Sequence, residues 1–432
     1  MRTLAKTYTI TEYGGFTRGG SPLGTLSPLP EKTFDALERF LLSNSSDART
    51  APQELMSLSS RKGTGKVITA KNYVGLIALK DGSAIEILPK IHDGASIPET
   101  KRVFLGMLKT LKNAPFKDLK VSGLQSDKLN ILEIFISMFA TEAANIAKQG
   151  LSASYSQTES NERFFKGKLN VQQNISANSC HKERFFVAYD NLGANRPENR
   201  LIKSALLMLK SLSSNPQNQR LISSVLSFFG AVDASMDLSN DFSRCVFDRS
   251  MSQYKKALSW CRIFLCGNSF TAFSGSEAAL ALLYPMERVF ESFVAERFRA
   301  LAPSGITVKI HDSSRCLFDK PTKSFRLRPD IVISCNNRCF IIDAKWKLLS
   351  KNSRNYGISQ PDVYQIYTYG SNFGAEKTVL IYPKPWLWNA EDMTYSSDDG
   401  FSVDIAFIDL IQPDANVLAI LKNAGSAFSE TH

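Results

Sequence analysis

The chain has 432 residues, of which 43% are hydrophobic and 22% charged, a composition typical of a globular protein with two or three domains. No run of about 18 apolar residues occurs, and the start, MRTLAKTYTITEYGG, lacks an apolar segment, which argues against a membrane span and a secretory signal. Seven cysteines, an odd number without paired spacing, indicate reduced thiols in a cytoplasm. The net charge of +11 favours a polyanionic partner, most simply DNA or RNA.

Residues 1–96 are predicted to form a β-rich N-terminal domain. The segment TYTITEYGGF alternates like a strand that runs into a Gly-Gly turn, and residues 29–42 have the periodicity of an amphipathic helix with Pro30 near its start. Residues 65–91 predict three strands, and the Lys-Asp-Gly-Ser sequence at 80–83 predicts a hairpin turn between the last two.

Residues 97–275 are predicted to form a mainly helical middle region. Apolar residues recur at helical spacing over 99–114, 129–150, 198–212, 218–232 and 251–267, whereas 163–175 has the pattern of a strand followed by a loop. Residues 276–301 also have a helical pattern, which Pro285 is expected to divide.

Residues 276–432 are predicted to form a C-terminal α/β domain, which makes the whole chain α+β. Strand patterns occur at VKIHD, IVISC and RCFIID, then at KTVLIYP and FSVDIAFIDL, with a helical pattern over PDVYQIYTYGSNFG between the two groups. Strands and helices in this order indicate a central mixed sheet that is flanked by helices.

Residues 326–349 predict a hairpin with an aspartate at the same end of each strand. A two-residue turn at Asn336–Asn337 suits asparagine, which tolerates positive φ. Cys335 would then pair with Arg338, and Asp330 would fall opposite Asp343, with their Cβ atoms roughly 4.5–5.5 Å apart.

Facing carboxylates repel each other unless a cation lies between them. A divalent metal ion can provide this charge, and Mg²⁺ is the usual ion where phosphate is also bound. Lys345 points to the same face as Asp343, because side chains alternate along a strand. Its ammonium could orient a water, help to deprotonate it, or stabilise a developing phosphorane charge. The alternative is an ordinary salt bridge at a solvated hairpin end.

The helix predicted before the hairpin carries acidic residues on its apolar face. On a helical projection Glu287 lies inside the apolar arc, Glu291 at its edge and Glu296 on the opposite side. A glutamate on a buried face needs a partner, which is either a metal site or an arginine.

The helix predicted after the hairpin begins near Pro361 and aligns polar residues on one face. Asp362, Gln365 and Tyr369 recur at i, i+3 and i+7. Gln365 and Tyr369 could contact a DNA backbone or brace Lys345.

These motifs together resemble the PD-(D/E)xK nuclease superfamily, and most closely the McrC family, the nuclease subunits of McrBC-type modification-dependent restriction systems. The resemblance consists of a helix glutamate, Pro-Asp before an apolar strand, Asp-Ala-Lys after it and Gln-x-x-x-Tyr on a helix. It extends over most of the chain, through GLIALKDGSAIEILPKI (75–91), FFKGKLNV (164–171) and ENRLIKSALLML (198–209).

The resemblance implies an Mg²⁺-dependent endonuclease in which Asp330, Asp343 and Glu291 bind the metal, for which Mn²⁺ can substitute. Lys345 would be the catalytic lysine and Gln365 its supporting glutamine. The resemblance further implies a partner, a hexameric McrB-like AAA+ GTPase that binds the GTP, recognises base-modified double-stranded DNA and translocates. Because one site per chain cuts one strand, we expect a second McrC-like subunit in the active assembly.

Further candidates for partner contacts follow from position and charge. Tyr369, Lys347 and Arg328 are candidates for DNA contact, and the basic segment 59–71 supplies Arg61, Lys62 and Lys66 as candidates for contact with the GTPase. The chain itself is not expected to bind GTP, because Ser60 and Val67 break the phosphate-loop pattern around GTGK. Of the histidines, only His311 is expected near the hairpin.

Two function classes remain open on the sequence. The first is the nuclease subunit described above. The second is a non-catalytic adaptor that activates the GTPase and binds DNA, with a vestigial nuclease site.

Overall fold

The structure is a computed structural model that describes residues 6–22, 24–42, 52–91, 96–111, 115–116, 130–246, 251–266, 278–335, 338–385, 392–398 and 400–429. The chain divides into two compact units, Met1–Ile131 with Ser269–His432, and Leu132–Asn268. The predicted β-rich N-terminal and C-terminal domains therefore share one unit, and the second unit covers most of the predicted middle region. No helix among these residues is both long and apolar enough to cross a membrane.

Among the described residues, the N-terminal part of the first unit contains two four-stranded sheets and three helices. One sheet has the order β1-β7-β6-β11 and the other β3-β2-β5-β4. The predicted hairpin at 80–83 is confirmed, because β6 and β7 pair antiparallel with Ala78 opposite Ala84. The elements are β1 (Thr7–Thr11), β2 (Gly15–Arg18), β3 (Leu26–Leu29), α1 (Glu31–Leu42), α2 (Pro52–Leu55), β4 (Met56–Arg61), β5 (Gly65–Ala70), β6 (Tyr73–Leu79), β7 (Ala84–Leu88), α3 (Ile97–Leu108) and β11 (Ala278–Pro285).

Strand β11 corrects the sequence prediction, which gave 276–285 a helical pattern. It pairs antiparallel with β6 and is buried from Leu280 to Pro285. A short apolar run that is buried on both faces has no periodicity that distinguishes a strand from a helix. Gly75 permits the close pairing, since a Cβ there would lie 2.0 Å from the carbonyl oxygen of Leu282.

A mixed six-stranded sheet forms the C-terminal part of this unit and confirms the predicted mixed α/β class. Its order is β12-β15-β16-β17-β19-β18, with β16, β17 and β19 mutually parallel and the other pairs antiparallel. The elements are α10 (Met286–Leu301), β12 (Thr307–Ile310), β13 (Cys316–Phe318), β14 (Ser324–Arg326), β15 (Ile331–Cys335), β16 (Arg338–Ala344), α11 (Gln360–Phe373), β17 (Lys377–Pro383), β18 (Met393–Ser396), β19 (Ser402–Ile408) and α12 (Pro413–Ser429).

Helices cover both faces of this sheet. On one face Ile366 and Tyr369 of α11 pack with Ile341, Leu380 and Ile405 of the strands, and α11 is the crossover between parallel β16 and β17. On the other face α10 contacts β16, and α12 contacts α10 and β19. The β15–β16 hairpin therefore lies between α10 on one face of the sheet and α11 on the other.

The second unit consists of helices around an aromatic core, with a three-stranded sheet β8-β10-β9 that the sequence pattern showed only in part. Trp260 stacks on Phe264 with ring centroids 5.4 Å apart and packs against Phe135 at 5.6 Å. The elements are α4 (Ile131–Gln149), β8 (Ser154–Glu162), β9 (Lys168–Leu169), α5 (Val171–Asn178), β10 (Phe185–Gly193), α6 (Pro197–Leu212), α7 (Pro216–Phe228), α8 (Leu238–Arg244) and α9 (Tyr254–Cys266).

Candidate active site

The β15–β16 hairpin brings two aspartates face to face. The predicted register is confirmed, because Cys335 pairs with Arg338 and Ile331 with Ile342. Continued by one residue, this register places Asp330, directly before β15, opposite Asp343 on β16. The turn residues 336–337 lie outside the described residues, so the turn type stays a prediction.

Both aspartates are buried, with exposed fractions of 8% for Asp330 and 2% for Asp343. Burial, together with the charges of Asp343 and Glu291, raises the pKa of Asp330 to about 8. Burial also raises the pKa of Asp343, although Lys345 offsets part of the effect. Asp330 Oδ2 accepts a hydrogen bond from the Ala344 backbone N–H at 2.9 Å, which fixes the carboxylate across the hairpin.

Lys345 is the nearest cation to this pair. Its Nζ lies 2.5 Å from Asp343 Oδ2 and donates to Gln365 Oε1 at 2.8 Å. Burial alone would lower the pKa of Lys345, but the charges of Asp343 and Asp330 raise it, so the ammonium form is favoured.

Helix α11 braces Lys345 through a chain of hydrogen bonds. Gln365 accepts from Lys345 and donates from Nε2 to Tyr369 Oη at 2.8 Å, and Tyr369 Oη donates to the Arg328 carbonyl at 3.4 Å. Tyr369 is only 8% exposed. Of the two roles left open for Tyr369, its burial favours bracing over DNA contact.

Helix α10 contributes Glu291, and the structure separates it from Glu287. The Glu287 carboxylate is exposed and accepts two hydrogen bonds from Asn72 Nδ2, at 2.8 and 2.7 Å. Burial and the charge of Asp343 raise the pKa of Glu291 to about 7. Glu291 is therefore the α10 acid that lies with the two aspartates.

A cavity of about 390 Å³ opens beside these carboxylates. Its lining combines both signs of charge, from Glu291, Glu296 and Asp330 and from Arg288 and Arg328. His311 also lines it, as expected from its position ahead of the hairpin, in a left-handed conformation at φ 54°. The His311 backbone N–H donates to the Asp330 carbonyl at 2.9 Å, and its Nδ1 lies 3.9 Å from Asp330 Oδ1.

The remaining candidates lie outside this cluster. Lys347 is exposed after β16, and Arg61 and Lys62 are exposed at the β4–β5 turn, which belongs to another sheet. Lys66 forms an ion pair with Glu38 at 2.6 Å. Sequence reasoning missed Trp346, which contacts Phe290 beside Glu291, because nothing in its periodicity distinguishes it from a core residue.

The donor set suits a divalent cation that prefers oxygen ligands. Burial and the neighbouring charges raise the pKa values of the two facing carboxyl groups, and a divalent cation between them would stabilise their ionised forms. Within the described ranges, however, no three acidic, histidine or cysteine side chains stand close enough to hold a metal ion as they are. In this conformation the cation at Asp343 is the ammonium of Lys345.

Residues 68–383 match the family model of the McrBC 5-methylcytosine restriction system component. The chain belongs to the McrBC family. The matched range includes Glu291, Asp330, Asp343, Lys345 and Gln365. No curated protein matches the chain.

Two solved structures are similar to the chain. A chain in the refined half-complex from the tetradecameric assembly of Thermococcus gammatolerans McrB AAA+ hexamers with bound McrC is similar, at 18% identity and a TM-score of 0.70, over 97% of this chain and 100% of that one. A chain in the cryo-EM structure of the Thermococcus gammatolerans McrBC complex has 20% identity and a TM-score of 0.49, over 67% of this chain and 86% of that one. The first likeness supports the fold.

Proposed function

We propose that this chain is the DNA endonuclease subunit of a McrBC-like restriction system. The observation that carries the proposal is the pair of buried, facing carboxylates, Asp330 and Asp343, with a lysine ammonium held beside them by Gln365. Such an arrangement places oxygens that can hold a divalent ion beside a fixed positive charge, which suits metal-assisted hydrolysis of a phosphodiester.

Asp330 and Asp343, with Glu291, would hold Mg²⁺ or Mn²⁺. When bound, this ion supplies Lewis-acid polarisation of the phosphate and lowers the pKa of a water. Lys345 stabilises the negative charge that develops on the phosphate, because its raised pKa keeps it an ammonium rather than a base. Gln365 fixes the position of that ammonium, and Tyr369 fixes Gln365.

The partner in this proposal is a hexameric McrB-like AAA+ GTPase, which binds the GTP and recognises base-modified double-stranded DNA. Membership of the McrBC family and the fold shared with the Thermococcus gammatolerans assembly support it. Arg61, Lys62 and Lys66 remain the candidate GTPase contacts, and Arg328 and Lys347 remain candidate DNA contacts. A second copy of the chain would cut the opposite strand.

The test is cleavage of modified plasmid DNA by the chain together with the McrB-like GTPase of its system, with Mg²⁺ and GTP. Wild type should cut and Asp343→Ala should not, while both accelerate GTP hydrolysis. Asp404→Asn is a matched control, because Asp404 lies on β19 of the same sheet as Asp343 but pairs with Lys377 at 2.6 Å. Cleavage by Asp343→Ala at the wild-type rate would show that the site is wrongly assigned.

The adaptor function is favoured by the ion pair that Lys345 makes with Asp343 where a metal would bind, and by the lack, within the described residues, of three suitable side chains close enough to hold a metal ion. An adaptor would accelerate GTP hydrolysis yet cut no DNA with Mg²⁺ or Mn²⁺. The same experiment separates the two functions.

A further inference from the structure

We propose that Glu12 and Asn72, from the N-terminal sheets, are positioning residues for Lys345 and Glu291 of the nuclease site. The inference rests on the proposed function and deepens it. It makes the N-terminal β region a part of the catalytic framework, in addition to any role in partner contact.

Glu12 follows β1 and reaches the end of β16 with a buried carboxylate. It is 2% exposed, and its Oε1 accepts from the Lys90 backbone N–H at 2.7 Å. The Trp346 indole N–H donates to the same carboxylate, at 2.9 Å to Oε1 and 3.1 Å to Oε2. Glu12 is itself held by its backbone N–H, which donates to the Leu88 carbonyl at 2.9 Å, so this anchor belongs to the β1–β7 pair.

The indole of Trp346 connects this anchor to both sides of the site. Trp346 directly follows Lys345, whose backbone N–H makes the last bond of the β16–β17 ladder, to Ile381 O at 2.8 Å. Beyond that bond the Lys347 backbone N–H donates to the Lys345 carbonyl at 3.0 Å, and the Trp346–Glu12 bond fixes the side chain of the residue between them. The Trp346 ring also packs on Phe290 with centroids 5.4 Å apart, one residue before Glu291.

Asn72, between β5 and β6, holds the first turn of α10. Its carbonyl accepts from the Met286 backbone N–H at 2.9 Å, and its Nδ2 donates to both carboxylate oxygens of Glu287. The N-cap residue Pro285 makes no side-chain cap of its own, so Asn72 satisfies a helix end that would otherwise be open. Glu291 lies one turn further along the helix. Because the helix is rigid over one turn, contacts that fix its first turn also fix the position of Glu291.

A buried carboxylate elsewhere in the same sheet serves as the matched control. Glu86 on β7 is 1% exposed and pairs with Lys101 at 2.9 Å, and its other oxygen accepts from the Ile131 backbone N–H at 2.7 Å. None of these contacts involves α10 or the end of β16. Substitution of Glu86 therefore tests loss of stability in the N-terminal sheet without touching the proposed supports.

The experiment measures steady-state cleavage by the full chain with its GTPase for Glu12→Leu, Glu12→Gln, Trp346→Phe, Asn72→Ala and Glu86→Gln. Displacement of a catalytic group by about 1 Å lowers rates by up to roughly 100-fold. We expect Glu12→Leu, Trp346→Phe and Asn72→Ala to lower kcat by about 10- to 100-fold with little change in KM for DNA or in GTPase stimulation. Glu12→Gln, which keeps an acceptor for the indole, should restore kcat, and Glu86→Gln should lower only the melting temperature.

A second readout does not depend on activity. In a protein labelled with ¹⁵N-tryptophan, the Trp346 indole resonance, assigned by its loss in Trp346→Phe, should be protected from hydrogen exchange. Protection should persist in Glu12→Gln and Glu86→Gln and disappear in Glu12→Leu.

Three results would overturn the inference. They are wild-type kcat in folded Glu12→Leu, an equal loss of kcat in Glu86→Gln after correction for the folded fraction, or an indole resonance that Glu12→Leu leaves unchanged. If the wild type fails to cut while the indole behaves as expected, the proposed nuclease function fails and the contact stands without its catalytic role. If the wild type cuts and the Glu12 variants cut equally well, only the positioning role fails.

Discussion

Asp330 and Asp343 face each other across the β15–β16 hairpin, and burial raises the pKa of both carboxyl groups. Repulsion between the two carboxylates lowers the free energy of unfolding, because a hairpin without these charges would be more stable. Removing one of these charges, or neutralising it with a bound cation, should therefore change stability as well as activity.

Asp330→Asn should abolish cleavage and stabilise the chain at alkaline pH. The pKa of Asp330 is raised from 3.8 to about 8, so the wild type loses stability as the pH rises through that range, whereas asparagine has no charge to bury. Urea unfolding without divalent ions should show the variant more stable at pH 8.5, with a difference that shrinks toward pH 5. Equal stability at both pH values would contradict the electrostatic account.

Mg²⁺ should raise the melting temperature of the wild type. A bound cation offsets the repulsion between the aspartates, and a ligand at about 100 times its Kd stabilises a protein by about 2.7 kcal/mol. Differential scanning fluorimetry at matched ionic strength should show this shift in the wild type and in Asp404→Asn, and its loss in Asp343→Asn. A shift of equal size in Asp343→Asn would place the ion elsewhere.

Gln365→Ala should lower kcat by about 10- to 100-fold, as is typical when the support of a catalytic group is removed. The Lys345 ammonium would lose its acceptor at 2.8 Å and would no longer be held in one position. Gln360→Ala is the matched control, since Gln360 lies on the same helix, is exposed and bonds only Tyr364 among the contacts described. Equal cleavage rates for the two variants at saturating DNA would show that Gln365 does not contribute to catalysis.

Glu12→Gln should stabilise the chain at neutral and alkaline pH. Burial raises the pKa of Glu12 from 4.5 to about 7, so the stability associated with its neutral form is complete below pH 4.5 and is lost as the pH rises through 7. The difference corresponds to about 3 kcal/mol for this buried group. Chemical denaturation at pH 8 and pH 5 checks it, and a variant no more stable than wild type at pH 8 would show that Glu12 is not strained by its burial.

The sequence by itself determined the features that depend on near neighbours. Alternation along two strands and a two-residue connection set the register of the β15–β16 hairpin, because a slip of one residue would turn every apolar side chain to the wrong face. Asp330, Asp343 and Lys345 follow from that register. The spacing of Gln365 and Tyr369 likewise placed them on one face of α11, where they bond each other.

Only the tertiary structure decided which α10 glutamate joins the site. Glu287 and Glu291 are one helical turn apart, and periodicity puts both near the apolar face. The side chain of Asn72, 215 residues away in sequence, forms hydrogen bonds with Glu287 and leaves Glu291 to the site. The same holds for β11, whose strand form depends on pairing with β6, and for Glu12, which meets Trp346 across 334 residues. These contacts depend on which surfaces pack together in the folded chain, and the local spacing of residues does not predict that packing.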